Sequence, residues 1–409
     1  MSAFPPARFL DRRTPPHIVT LTFLAGVSAL NMSIFLPSLT RIAEEFGTDY
    51  AVVQLSVSAY LAATALLQIV VGPLSDRFGR RRVVLGAMAI FVAATYGCWQ
   101  AQSIEAFLTF RILQAAVATG IVLSRAIVRD VYAAAESASM IGWVTMGMAL
   151  IPMIGPTIGG LLDGLYGWRS SFVLLMGAGI AMFALAWADQ GETIRDGGIG
   201  FREQLSSYPA LLSSQRFWGY ALCAAFASGS FFAFLGGAAY VADHIFGLTP
   251  FQSGLALGAP AIGYAAGNGL SGRYSTSVGI NRMAWLGCLV VLVGLGLSLV
   301  LALAGMQSAT LFFGFCTLLG LGNGMTMPNA TAGLLSVRPR LAGTASGLGG
   351  ALMIGGGAAL SQVAGVLLAG SATAIPLQAL MWVSAALALG AIHFVIRREA
   401  RTGAPAPAE

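Results

Sequence analysis

The chain has 409 residues, of which 57% are hydrophobic and 9% charged, with a formal charge of +6. A mean hydropathy of +0.79 lies far above that of soluble domains and excludes an ordinary soluble enzyme. The basic balance does not point to nucleic acid, because the arginines sit in short loops between apolar runs, where a membrane accounts for them.

Residues 1–17 are polar and read as an N-terminal tail, without the small-residue cleavage pattern of a signal peptide. Twelve segments then reach spanning length, about 20 mostly apolar residues each. They are 18–39, 50–71, 83–101, 107–127, 139–162, 170–188, 217–241, 251–271, 283–303, 309–330, 343–368 and 375–396. With the N-terminus inside, all but three of the 22 arginines (Arg41, Arg111 and Arg169) fall on the cytoplasmic side. This predicts an all-α membrane protein with both termini cytoplasmic. The polar break at 189–216 divides it into six-helix bundles over 18–188 and 217–396, with a short amphipathic helix expected over 201–212 and a tail over 397–409.

Between the second and third spans lies Gly72-Pro73-Leu74-Ser75-Asp76-Arg77-Phe78-Gly79-Arg80-Arg81-Arg82. Proline lacks the N–H to continue a helix, so Gly72-Pro73 is expected to end the second one before a tight, positive turn. The pattern resembles the signature loop of the major facilitator superfamily of secondary transporters, matching at Gly72, Asp76, Arg77, Gly79 and Arg81. A partial echo, Leu270-Ser271-Gly272-Arg273-Tyr274, follows the eighth span without the acid. Such a repeat fits a transporter built of two halves that rock about a central site.

The fourth span opens with Phe110-Arg111-Ile112-Leu113-Gln114 and ends with Ser124-Arg125-Ala126-Ile127-Val128-Arg129-Asp130. Arg111 lies inside the apolar run, where a guanidinium must snorkel, pair or face a wet cavity; a cavity-facing place beside Gln114 and the first span is expected. The fifth span carries Gly155-Pro156-x-x-Gly159-Gly160, similar to the motif of the superfamily's antiporter branches. Together with Phe217-Trp218-Gly219-Tyr220, these runs make nearly the whole chain resemble bicyclomycin-resistance-type drug:proton antiporters. One departure stands out: the first span reads Asn31-Met32-Ser33-Ile34-Phe35-Leu36-Pro37, with asparagine where that family usually has an acid.

The resemblance implies export of small, moderately hydrophobic molecules by proton antiport. The alternative is a metabolite exporter or uncoupled facilitator of the same fold, because no Asp or Glu falls in the middle of any span. The remaining proton-carrier candidates are Asp130, Asp163, Asp243, His244 and His393. A cavity with Arg111 and no carboxylate favours neutral, zwitterionic or anionic molecules. Its candidate lining is Asn31, Phe35, Tyr60, Arg111, Gln114, Met146, Phe231, Phe234, Tyr264, Asn268, Asn323 and Asn329. Asp76, Arg77, Arg81 and Asp130, with Gly72 and Gly79, are expected to form a conformational latch. A non-transporting sensor on this fold would be expected to carry a long soluble extension, and eleven residues follow Arg398.

There is no lysine, hence no Walker-type phosphate loop, and the three histidines are scattered. Cys98, Cys223, Cys288 and Cys316 lie in apolar spans without metal-ligand spacing. The expectations are therefore no enzyme activity, cofactor, metal or nucleic acid, and a monomer in the bacterial cytoplasmic membrane whose partners are substrate, protons and lipid.

Overall fold

The computed structural model describes residues 7–131, 140, 144, 151, 154–194, 209, 211–338 and 342–402. The first half of the expected fifth span, with Met146, lies outside them, as do most of 201–212 and the tail beyond 402. Among the described residues every regular element is a helix, with no β-strand.

The elements run α1 (Ile18–Ser33), α2 (Leu39–Phe46), α3 (Tyr50–Val53), α4 (Leu55–Phe78), α5 (Arg80–Gln100), α6 (Ile104–Leu113), α7 (Thr119–Val131), α8 (154–166) and α9 (Arg169–Asp189). After residue 209 follow α10 (Gln215–Tyr240), α11 (Pro250–Leu257), α12 (Ala259–Val278), α13 (Ile280–Leu303), α14 (Ala309–Ser336), α15 (Ala342–Leu368) and α16 (Ile375–Thr402). Among the described residues, ten stretches are long and apolar enough to cross a bilayer. The expected span at 251–271 is not one of them. It is helical, as α11 and α12, but it breaks at Gly258 and its glycines, asparagine and serines leave it less apolar.

Several helices outrun their apolar segments. Gly72-Pro73 does not end the second helix; α4 continues to Phe78. A proline withdraws one N–H, which a long, packed helix tolerates. The terminator is Gly79, at φ 92° and ψ 142°, a conformation open only to glycine, and it alone separates α4 from α5. Gly279, at φ 87° and ψ 143°, likewise separates α12 from α13. In both turns the glycine N–H donates to a serine carbonyl, Ser75 or Ser275, at 2.9 Å. With the turns as reference, Leu270–Tyr274 lies one helical turn earlier than Leu74–Phe78, so the sequence echo is displaced by four residues. Thr276, and not Gly272, stands where Asp76 does.

Two membrane helices are interrupted internally. The first leaves α-geometry at Ile34–Phe35, passes through a 3₁₀ turn (Leu36–Ser38) opened by Pro37, and resumes as α2. The fourth passes from α6 through a 3₁₀ turn (Gln114–Ala118) into α7. Elsewhere small residues permit backbone contact: Gly263 and Gly267 of α12 face the Thr317 and Leu321 carbonyls, while Gly320 and Gly324 of α14 face those of Pro260 and Tyr264. Gly347 of α15, by contrast, has open space beside it.

The tail is not free. Asp189, fully buried at the end of α9, accepts the Leu10 N–H at 2.6 Å and the His17 N–H at 2.9 Å, which straps residues 8–17 across the end of the first and sixth helical segments.

Candidate functional site

The residue arrangement centres on Arg111, at 1% exposure the largest fully buried side chain among the described residues. It sits where α6 gives way to the 3₁₀ turn, on the face that meets the break in the first helix. Its Nε donates to the Ser56 carbonyl at 3.2 Å, and its Nη1 donates to Asn31 Oδ1 at 3.1 Å and to Gln114 Oε1 at 2.5 Å. Gln114 in turn donates to Thr95 Oγ1 at 2.7 Å. The Phe35 and Tyr60 rings lie over the guanidinium, their centroids 4.1 and 4.8 Å from its carbon, close enough for cation–π attraction. Thus Asn31, Phe35, Tyr60, Arg111 and Gln114, scattered over 84 positions of sequence numbering from 31 to 114, form one buried polar group.

The other candidates lie on later helices. Phe231 and Phe234 stack with centroids 6.4 Å apart, and Phe234 meets Phe313 edge-on. Asn268 bonds only within its own helix, to the Tyr264 carbonyl at 2.8 Å, and both residues are half-buried. Asn329 donates to Ser271 Oγ at 2.8 Å and so ties α14 to α12, while Asn323 is buried with Oδ1 lacking a hydrogen bond.

The charge cluster at the α4–α5 turn is wired differently from the expectation. Arg80 joins the acids: it meets Asp76 at 2.6 Å and Asp130 at 3.0 Å and donates to Ser75 Oγ. Arg77 is exposed and lies over the Phe78 ring at 5.4 Å. Arg81 turns away to the end of α9, where it donates to the Trp187 carbonyl at 2.8 Å and to that of Gln190. Glu192 accepts the Arg80 backbone N–H at 2.8 Å and that of Arg81 at 3.3 Å, which caps α5 against the helix dipole. Gly72 is half-buried in α4. No signal for Arg80 was present in the sequence: Gly79 separates it from the helix of Asp76, so their i,i+4 spacing is not a shared helix face.

At the opposite end of the helices, the two halves of the sequence interlock. Tyr50 Oη donates to the Gly236 carbonyl at 3.0 Å, Gln54 Nε2 to Ser361 Oγ at 2.7 Å, and Ser58 Oγ to Gln362 Oε1 at 2.7 Å. The Tyr50 and Tyr240 rings lie 5.1 Å apart. The motif Gly155-Pro156-x-x-Gly159-Gly160 in α8 serves the same end. Gly155 and Gly159 press on Ser33 and the Ile34 carbonyl, Gly160 meets the Pro250 carbonyl, and the Pro156 carbonyl meets Gly254. Next to this contact, Asp163 is buried and pairs with Arg41 at 3.2 Å. A cavity of about 300 Å³ opens over the interlock, with Glu44, Asp49, Tyr50, Tyr240 and His244 in its lining.

An all-α, multi-spanning chain with a buried polar group at two helix breaks, a charged turn at one end and an interlock at the other defines a membrane transporter fold. Residues 21–361 match the Major Facilitator Superfamily, and the chain belongs to that family. It is 32% identical to the chloramphenicol resistance protein of Pseudomonas aeruginosa over 335 residues, 80% of this chain and 79% of that one. It is 26% identical to multidrug resistance protein D of Escherichia coli (strain K12) over 354 residues, 86% and 88% of the two. Among solved structures, a bacterial homologue of the human lysosomal transporter Spinster, inward-facing and occupied, aligns at a TM-score of 0.74 with 18% identity, covering 93% of this chain and 96% of that one. The protein is a membrane-embedded secondary transporter of small molecules and not an enzyme.

Proposed function

We propose that this protein exports small, moderately hydrophobic molecules, of the antibiotic and drug type, by proton antiport. In this reading twelve spans form bundles over 18–188 and 217–396, joined by the linker 189–216. They lie in the bacterial cytoplasmic membrane with both tails cytoplasmic, and the monomer works by alternating access. The observation that carries it is the pairing of a reversible interlock at one end with a charged turn at the other. The interlock uses neutral hydrogen bonds and small residues, so it can separate without stranding a charge. The Arg80–Asp76–Asp130 cluster would brace the cytoplasmic end when the outer end opens. Likeness to two resistance proteins favours drugs as cargo.

The candidate lining extends from Asn31, Phe35, Tyr60, Arg111 and Gln114 to Phe231, Phe234, Tyr264, Asn268, Asn323 and Asn329, together with Met146, which lies outside the described residues. Asp163, the buried acid at the outer contact, is the best-placed proton carrier. A cell assay tests the reading: cells making the wild-type chain accumulate less of a neutral antibiotic than cells making Asp76→Asn at equal protein level. Equal accumulation would remove it.

A second reading has its own support. Asn31 lies against Arg111 where the resembling family has an acid, which favours an uncoupled facilitator or a metabolite exporter of the same fold.

A further inference from the structure

The Arg111 guanidinium is a permanent charge, since arginine does not lose its proton inside proteins. Every hydrogen-bond acceptor it has is neutral: the Ser56 carbonyl, Asn31 Oδ1 and Gln114 Oε1. Among the described residues no carboxylate pairs with it, although Arg41, Arg80, Arg169 and Arg216 each meet one. Taking an ion out of water costs several kcal/mol, which ring faces and neutral acceptors offset only in part. Two enclosed donors have no carbonyl or carboxylate acceptor. Arg111 Nη2 makes no hydrogen bond, and Asn31 Nδ2 has only the Tyr60 hydroxyl beside it. The Arg111 Nη1 bond to Asn31 Oδ1 fixes the amide so that its NH₂ is the spare group.

The location supplies a second argument. Both residues lie in the last turn before the internal breaks of the first and fourth membrane helices, and discontinuous helices are where such transporters form their binding sites; the charge that would draw an anion here is that of Arg111. The Phe35 and Tyr60 rings lie against the guanidinium, and Nη2, enclosed in this arrangement, is reached by an anion when the surrounding helices part.

We infer that Arg111 and Asn31 form a carboxylate-binding subsite and that the cargo is an amphipathic organic acid. One carboxylate oxygen accepts from Arg111 Nη2, the other from Asn31 Nδ2, and the apolar body of the molecule lies along the aromatic wall. Asparagine at position 31 has a reason in this scheme: an acid there would occupy Arg111 itself. The inference rests on the transport reading above and narrows its substrate class.

The test uses the purified full-length chain with two probes of the same body, 4-phenylbutyrate and 4-phenylbutanamide, followed by binding and by flux in proteoliposomes. The carboxylate is expected to bind at least about tenfold more tightly than the amide, the scale of one charge-assisted contact. Because removing Arg111 endangers the fold, Asn31→Asp is the informative variant. It is expected to raise the melting temperature, by giving Arg111 a partner, and to abolish the preference for the carboxylate. Equal affinities for the two probes in the wild type, or a preference that survives Asn31→Asp, overturns the subsite. Flux of the amide without the carboxylate also overturns it and leaves export intact. The expected binding pattern with no flux of either probe overturns export and leaves the subsite.

Discussion

Arg80 meets Asp130 at 3.0 Å across the end of α7 while holding Asp76 at 2.6 Å across its own turn. One guanidinium, its side chain 9% exposed, thus pairs with two acids from different helices. Removing it leaves two partly buried carboxylates without the cation they share, a larger loss than that of a fully exposed pair. Arg80→Gln is expected to lower the melting temperature by several degrees and to cripple transport, whereas Arg77→Gln, at an exposed site, changes stability little. Thermal unfolding in detergent and drug accumulation in cells check both; equal effects of the two variants would contradict the wiring.

The two turn glycines separate strain from packing. Gly79 and Gly279 share a glycine-only conformation, for which a side chain costs about 1–3 kcal/mol. A Cβ at Gly79 would also run into the Glu192 carboxylate that caps α5, while at Gly279 the space is open. Gly79→Ala is expected to destabilise the protein more than Gly279→Ala, read as the difference between their melting temperatures.

The interlock predicts a trap. Gln54 and Ser361 touch across the contact between the two halves of the sequence, and a short bifunctional reagent bridging Gln54→Cys and Ser361→Cys is expected to stop transport, with recovery on cleavage of the linker. Gln54 and Ser361 are as buried as the four native cysteines, so the introduced pair is reached when the interlock parts, and the protein with its native cysteines alone is the control. Gly236→Leu acts in the opposite sense, because any side chain there meets Ser361 and Gln54; it is expected to hold this end open and to raise labelling of Ser361→Cys.

Asp163 makes the interlock sensitive to pH. It lies just beyond the 139–162 segment, and burial raises its carboxyl above the ordinary value against the pull of Arg41, with Asp243 adding to the rise. The closed arrangement therefore holds the proton more tightly than an open one in which Asp163 meets water. Its contribution to closure is full at low pH and is lost as pH rises through the raised value. Labelling of Ser361→Cys is expected to speed up over that rise, and Asp163→Asn is expected to flatten the profile.

Much of this was legible in the sequence, and the remainder fails for identifiable reasons. Apolar length located ten membrane helices among the described residues, since hydrocarbon thickness sets it, yet it could not show α4 running on to Phe78, because a helix need not stop where the membrane does. The placing of Arg111 beside Gln114 and the first helix was read from the rule that intramembrane charge turns inward, but the residue is fully enclosed here and does not face the cavity expected for it. The choice of Arg80 over Arg77 and Arg81 was not, because four arginines in six residues are equivalent until a turn geometry selects one. The repeat was seen through Leu-Ser-x-Arg, but its true register rests on Gly79 and Gly279, whose shared dihedrals no letter reveals. Contacts such as Gln54–Ser361 and Asp189–Leu10 join residues 307 and 179 positions apart, and polar residues of that kind carry no local signature.

The most direct test of coupled export uses sealed vesicles that contain only this protein, an imposed proton gradient and a pH-sensitive dye. A panel of neutral and anionic antimicrobials is added in turn. Proton antiport predicts that a transported compound releases the gradient, with dye recovery in proportion to its flux and none in Asp76→Asn. Substrate flux that leaves the dye unchanged would contradict coupling and give the case to the facilitator that Asn31 allows.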